Sequence, residues 1–383
     1  MTGTLVADDA LLDDPSALAA ADHGGMLLAC ASAGAQVRAA LRTSAEAGLA
    51  AVAAEGRPRS LVVAGVGGSG TAGSVLAAAT GTRCPVPVVG VRDVVLPGWV
   101  GPLDLVVAVS CSGRTEETLL VVEEAARRGC RLVTVGAAGS PLHRYGEQAR
   151  ARHVPVDAGG RLPRANLWAL SVPLLVLADA LGLATVPEAD LLATADALDA
   201  TATALAPSVP LGENPAKDLA LALAGRLPLV WGASSVASAA AYRLVGQLAE
   251  NAKLPAVLGD VPEVGHNQVV AFDGPYAGGA VDDVFRDPFD DPAGISLRPV
   301  LLRADDEHPR VAVRAGALQA VAEQRGIATT VLRATGASPV QQLASLVALG
   351  DFASTYLALA TGVDPTPIPA IDELKARTAL DAR

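Results

Sequence analysis

Two stretches of this chain repeat one pattern: a short apolar run, a turn of small residues, then an apolar segment at helical spacing. The first, SLVVAGVGGSGTAGSVLAAAT, begins at residue 60, and the second, GRLPLVWGASSVASAAAYRLVGQLAEN, at residue 225. An unbroken apolar strand must be covered on both faces, and parallel strands obtain that cover from the helices that connect them. The pattern continues in the first half, where PVPVVGV, LDLVVAV and CRLVTVG read as strands and EETLLVVEEAARRG as a helix. The expectation is an α/β fold of right-handed crossovers: two tandem doubly wound parallel-sheet domains with helices on both faces. A repeat so widely spaced fits domain duplication rather than a solenoid.

Residues 1–50 are Ala-rich and helical in character. The first domain is expected over 51–190 and a linker containing helix over 191–215, where prolines and acidic residues interrupt the pattern. The second domain is expected over 216–383. In it RPVLLRA and ATTVLRA read as strands, SPVQQLASLVALGDFASTYLALATG as a long helix closed by Gly362, and PAIDELKART as a short final helix. GGAVDDVFRDPFDDPAG reads as an acidic surface loop. With 51% hydrophobic but only 3% aromatic residues, the cores are built from Ala, Val and Leu.

The net charge of −11 argues against a nucleic-acid partner, whose phosphates need a basic surface, but permits a small anion in a local pocket. The N-terminus lacks a signal peptide's basic region and apolar core, and no unpunctuated apolar stretch reaches membrane-spanning length. No membrane partner is expected, and the expected location is the cytoplasm. Cys30, Cys84, Cys111 and Cys130 form no CxxC pair and no metal-ligand spacing, so they read as small buried hydrophobes in a reducing compartment.

Two turns carry the chemistry. GVGGSG (65–70) satisfies the glycine fingerprint of dinucleotide sites, with Asp93 about 20 residues on where a ribose partner could sit. VSCSGRTEET (109–118) then places Ser110, Ser112 and Thr115 between a strand and a helix. A nicotinamide site has no need of that second turn, whereas a phosphate site between two strand ends uses both. Helix N-termini present unpaired N–H groups with partial positive charge, and hydroxyls add donors that rotate toward phosphate oxygens. Glu116 and Glu117 suit the first helical turn. The plainer alternative is that Ser112 or Thr115 simply caps the helix, although capping needs one hydroxyl and not three. A serine nucleophile lacks the G-x-S-x-G elbow, and strand alternation turns Cys111 away from the two serines.

GVGGSGTAG, SCSGRTEET, GGRLPRANL, LAENAK, PEVGHNQ and GVDPTPIPAIDELK together resemble the sugar isomerase (SIS) domain proteins, and more narrowly the bifunctional phosphoglucose/phosphomannose isomerases. The motifs run in the family's order from about residue 60 to 378. The resemblance implies that Gly68 and Ser69 line the sugar-phosphate site and that Ser110, Ser112 and Thr115 hold the phosphate. It places Arg164 near a developing enediolate and makes Glu250 the base between C1 and C2. It gives ring opening to His266, supplied by the partner subunit of a homodimer, and has Lys375 complete the site. The chain departs from the family pattern at Gln268, where a carboxylate is common, at Arg114, where Asn is usual, and in YRLVGQLA, which lacks an expected tryptophan and lysine.

The chemistry asks for the same residue types. Aldose–ketose isomerisation needs a carboxylate base over the C1–C2 edge and a fixed cation for the enediolate oxygen. Ring opening suits His, and a phosphate grip supplies binding energy for orientation. No cofactor or metal is expected. The expected function is metal-independent interconversion of glucose 6-phosphate and/or mannose 6-phosphate with fructose 6-phosphate. A non-catalytic phosphosugar-binding regulator is the alternative, and a nucleotide-dependent oxidoreductase resting on GVGGSG and Asp93 ranks below both.

Overall fold

The computed structural model describes residues 7–277 and 295–381. The expected acidic loop, 278–294, lies outside the described residues. Four helices lead in: α1 (Asp9–Leu12), α2 (Pro15–Ala21), α3 (Met26–Ala31) and α4 (Ala33–Glu46). The first half then alternates β1 (Leu61–Ala64), α5 (Gly68–Thr80), β2 (Val88–Val91), β3 (Leu105–Ser110), α6 (Glu116–Arg127), β4 (Arg131–Gly136), α7 (Pro141–Gln148) and β5 (Arg152–Pro155). Helices α8 (Leu167–Ala180), α9 (Glu188–Ala204) and α10 (Pro215–Leu223) lead to the second half. It runs β6 (Arg226–Gly232), α11 (Ser235–Asn251), β7 (Val257–Asp260), β8 (Ser296–Arg303), α12 (Pro309–Gln324), β9 (Thr330–Arg333), α13 (Pro339–Ala360) and α14 (Pro369–Asp381).

The strands form two sheets, ordered β2-β1-β3-β4-β5 and β7-β6-β8-β9, and every pairing is parallel. Both sheets reverse their order beside the first strand, between β1 and β3 and between β6 and β8. The crevice beyond the strands' C-terminal ends at such a reversal is where open α/β sheets bind ligands. Strands β5 and β7 escape sequence reading because they are edge strands: RHVP and VLGD are short and partly exposed.

Successive strand residues face opposite ways. Leu61 and Val63 of β1 enter one large core, while Val62 and Ala64 enter a smaller cluster with Val106 and Val121. The large core joins both halves, since it also holds Val107 of the first sheet, Val230 and Val300 of the second, and Leu343, Phe352 and Tyr356 of α13. Each large aliphatic side chain fully buried there contributes about 1.5–3 kcal/mol. Helix α13 is long and apolar enough to cross a membrane, yet most of it is buried in this core. Helix α9 packs on α4 and α13 through Leu191, Ala195 and Leu198, so residues 191–204 of the expected linker belong to the packed helical layer.

Candidate active site

The glycine turn after β1 and the hydroxyl turn after β3 sit side by side at the first reversal. Gly68 opens α5 against the backbone of residue 164: a Cβ there would lie 3.2 Å from the Arg164 N and Cα. The helix starts without a side-chain cap. Ser69, buried, accepts a hydrogen bond from the Cys111 N–H (3.2 Å), which stitches the two turns together.

In the second turn Gly113 has φ +63° and packs on the Ser140 side chain, where any Cβ would collide. Fully buried Ser110 shares a hydrogen bond with Thr115, Oγ to Oγ1, at 2.8 Å. Ser112 is exposed and accepts from the Arg114 N–H (3.2 Å). Thr115 is the N-cap of α6 but its hydroxyl makes no capping bond, and Glu116 and Glu117 follow in the first turn. The Ser110 and Thr115 hydroxyls therefore face each other, and Ser112 bonds within the turn, rather than any of them closing the helix end. Cys111 points into the core, where burial pushes its thiol pKa up and leaves it an inert hydrophobe.

Arg164 stands in the short 3-10 turn Pro163–Ala165 and is almost wholly buried. Its Nε donates to Asn251 Oδ1 (2.8 Å), and its Nη2 donates to the carbonyls of Pro365 (2.6 Å) and Thr366 (3.0 Å). Nη1 reaches Glu250 Oε2 at 3.5 Å. Burial pushes the guanidinium pKa down, and the Glu250 carboxylate opposes that by stabilising its charge. Arg243 anchors the turn from behind: it donates to the Arg164 carbonyl and forks onto Asp351 with contacts of 3.0 and 2.9 Å.

Glu250 occupies the last turn of α11, with its side chain 29% exposed. The helix ends because Lys253 adopts φ +56°, and Leu254 N–H closes back onto the Leu248 carbonyl (3.0 Å). Lys253 Nζ then donates to the carbonyls of Glu250 (2.7 Å) and Asn251 (3.4 Å), which holds the end of the helix in place.

Gly68, Arg164 and Glu250 are thus linked by contacts that join both halves of the chain, and the Ser69–Cys111 bond sets the turn of Ser110, Ser112 and Thr115 beside the glycine turn. His266 and Lys375 are elsewhere. His266 is exposed in the turn Glu263–His266 and lines a cavity of about 390 Å³ whose walls include neither Arg164 nor Glu250. Lys375 is exposed on α14, and neither residue bonds to the Arg164–Glu250 pair.

Gln268, standing where a carboxylate is common, serves the second sheet. It accepts from Trp231 Nε1 (2.7 Å) and donates to the Leu258 carbonyl (2.9 Å). Asp93 is exposed and its carboxylate accepts from the adjacent Val94 N–H (2.6 Å), a local turn contact. Sequence reading missed Asn251, Arg243, Asp351 and the two carbonyls at 365–366. Asn251 alone had a visible signal, its place beside Glu250 in LAENAK.

Residues 212–378 match the family model of the bacterial phospho-glucose isomerase C-terminal SIS domain. A bifunctional phosphoglucose/phosphomannose isomerase of Caldicellulosiruptor bescii is 32% identical over 321 residues, 83% of this chain and 89% of that protein. One of the same name from Aquifex aeolicus is 29% identical over 320 residues, again 83% and 89% of the two chains. The crystal structure of a hypothetical protein from Thermus thermophilus shares the fold with a TM-score of 0.70 at 19% identity, covering 97% of this chain and 95% of that one. Sequence likeness to the Caldicellulosiruptor protein at that level, along most of the length of both chains, makes this chain a member of the bifunctional phosphoglucose/phosphomannose isomerase family.

Proposed function

We propose that the protein is an aldose–ketose isomerase that interconverts glucose 6-phosphate and mannose 6-phosphate with fructose 6-phosphate. The observation that carries this reading is the Arg164–Glu250 contact, a loose 3.5 Å approach of a buried cation to a carboxylate still reachable from the crevice. A carboxylate so placed can take the proton from C2 of the open-chain aldose and return it to C1. The guanidinium beside it meets the negative charge that develops on the enediolate oxygen without having to reorganise. Removal of the C2 proton makes that carbon planar, so one site serves both epimers.

The phosphate belongs to Ser110, Ser112, Thr115 and the uncapped N-terminus of α6, with Gly68 and Ser69 on the sugar side. Binding energy gained there orients the distant C1–C2 edge. His266 would open the pyranose ring and Lys375 would complete the site. Because neither bonds to the Arg164–Glu250 pair within one chain, we assign the working form to a homodimer in which a second copy supplies His266. The four cysteines are unpaired, which suits a reducing cytoplasm.

The test is a coupled assay for fructose 6-phosphate from each hexose phosphate, run on wild type and Glu250→Gln. Turnover lost with binding retained supports the enzyme. Binding without turnover in wild type would replace it with a phosphosugar sensor.

A further inference from the structure

We propose that Asn251 is a positioning residue for the isomerisation: by holding Nε it keeps the Arg164 guanidinium turned so that Nη2 stays on the Pro365 and Thr366 carbonyls and no two-pronged ion pair closes on Glu250. This deepens, and rests on, the assignment of Arg164 and Glu250 to the reaction. A guanidinium carries five N–H groups, and the arrangement it prefers with a carboxylate is a parallel fork of two short bonds. Here Nε is taken by Asn251 Oδ1, and both N–H groups of Nη2 are taken by the carbonyls of Pro365 and Thr366. Three of the five donors are therefore spent on neutral acceptors. The two edges that could grip a carboxylate, Nε with Nη2 and Nη1 with Nη2, both include Nη2, so the carbonyls block both; Asn251 on Nε fixes the plane of the group in that position, and only Nη1 faces Glu250, at 3.5 Å.

The consequence is chemical. A closed fork would satisfy the carboxylate's lone pairs and cover the base. The loose contact leaves Glu250 able to accept a proton and leaves Nη1 outside the bonds to Asn251 and the two carbonyls, to meet the substrate oxygen. Asn251 is itself fixed. It is fully buried, and its Nδ2 donates to Ser354 Oγ (3.0 Å), which in turn donates to the Asp351 carbonyl (3.0 Å). That second bond decides which end of the amide faces Arg164, since a flipped amide would present N–H groups to a cation. Asp351 also grips Arg243, which holds the Arg164 carbonyl, so side chain and backbone of Arg164 are anchored to the same segment of α13.

The experiment uses the full-length protein and two readouts. The first is the Arg164 Nε–H resonance in a proton–nitrogen NMR spectrum, assigned by its loss in Arg164→Lys. Held by Asn251 in a buried site, it exchanges slowly with water in wild type. In Asn251→Ala it should broaden or vanish, and kcat should fall about 10–100-fold, the range for misplaced catalytic groups, with KM changed less than about threefold. Asn251→Asp keeps an acceptor in the same place and should restore both the resonance and part of the lost turnover. Should the alanine variant not fold, Ser354→Ala frees the amide to flip and should broaden the same resonance with a smaller loss of kcat. A protected resonance in Asn251→Ala, or a loss confined to KM, overturns the inference. An exposed, fast-exchanging resonance in wild type does so whatever the turnover. A slow resonance in wild type and its loss in the variant, with no turnover of either hexose phosphate, would leave Asn251 holding Arg164 but remove the isomerase reading.

Discussion

The two halves of the molecule are built alike where they differ most in use. Four residues separate the end of β3 from the N-cap of α6, and four separate the end of β8 from the N-cap of α12, so SCSGRT (110–115) stands opposite RADDEH (303–308). Hydroxyls in the first turn become carboxylates in the second. Those carboxylates and their neighbours also fill the donors an anion would need. Ser234 Oγ accepts from Ala237 N–H (3.1 Å), and Asp306 Oδ2 accepts from Val236 N–H (3.3 Å), closing the start of α11. Gln342 exchanges bonds with Asp305 at 3.0 and 2.8 Å, and His308 Nδ1 accepts from Arg310 N–H (3.1 Å) at the start of α12. In the first half neither α5 nor α6 begins with a side-chain cap. The two sheets share their strand order, and it is the turns that set apart the half proposed to hold the ligand. The second half contributes from the opposite end of α11, where Glu250 and Asn251 meet Arg164 of the first half.

The largest effect should come from that far end of α11. Glu250→Gln should lower kcat by about 10²–10⁴-fold while leaving hexose-phosphate affinity close to wild type, measured by the coupled assay and by calorimetry. Next come the hydroxyls. Each hydrogen bond to a charged group is worth about 1.5–3 kcal/mol, so Ser110→Ala combined with Thr115→Ala should raise KM at least about tenfold and disturb kcat less. A double variant that loses kcat at constant KM would move the phosphate away from this turn and undo the comparison.

Much of the fold was legible because the residues that make it are periodic, and the residues proposed to hold the phosphate stand out because they are chemically conspicuous. LVVA and LVVAVS announce central strands, and three hydroxyls in six residues announce a cradle. The edge strands β5 and β7 were not legible, since a short half-exposed strand shows little apolar pattern. The grip on Arg164 was not legible either, because two of its partners are the backbone carbonyls of Pro365 and Thr366, and every residue has a carbonyl. His266 and Lys375 are conspicuous in sequence, but no residue type says whether it acts within its own chain or in a second copy, as proposed for His266.

A third prediction separates the halves by acid. In the first sheet His153 stacks on His143 with centroids 4.1 Å apart, and its Nδ1 meets Thr134 Oγ1 at 2.9 Å. Burial, then the neighbouring imidazole, lowers its pKa to about 4 from an unfolded value of about 6.5. The unfolded chain therefore binds the proton more readily than the folded one. The stabilisation is complete above pH 6.5 and is lost as pH falls toward 4, by at most about 3 kcal/mol. His153→Leu should flatten the melting temperature against pH across that window, and an unchanged slope would place the acid sensitivity in other groups.

The smallest effect tests the closed copy of the turn. Ser234 caps α11 and takes no part in the crevice, so Ser234→Ala should cost about 1 kcal/mol of stability, the usual value of a lost N-cap. The KM for glucose 6-phosphate should not change, because the donor it frees lies at the second sheet's reversal, beside Asp306 and Asp305. Adding Asp306→Asn to Ser234→Ala sharpens the point: it removes the carboxylate that accepts from Val236 N–H and leaves the start of α11 with two unpaired donors and less negative charge. If backbone geometry alone made an anion site, that variant should begin to bind inorganic phosphate, read by calorimetry against an active-site background already carrying Ser110→Ala and Thr115→Ala. We expect no such binding. The Ser110–Thr115 hydroxyl pair and Ser112 of the first turn have no counterpart in RADDEH, and a helix end freed of its carboxylate offers dipole and N–H groups without hydroxyls to add to them.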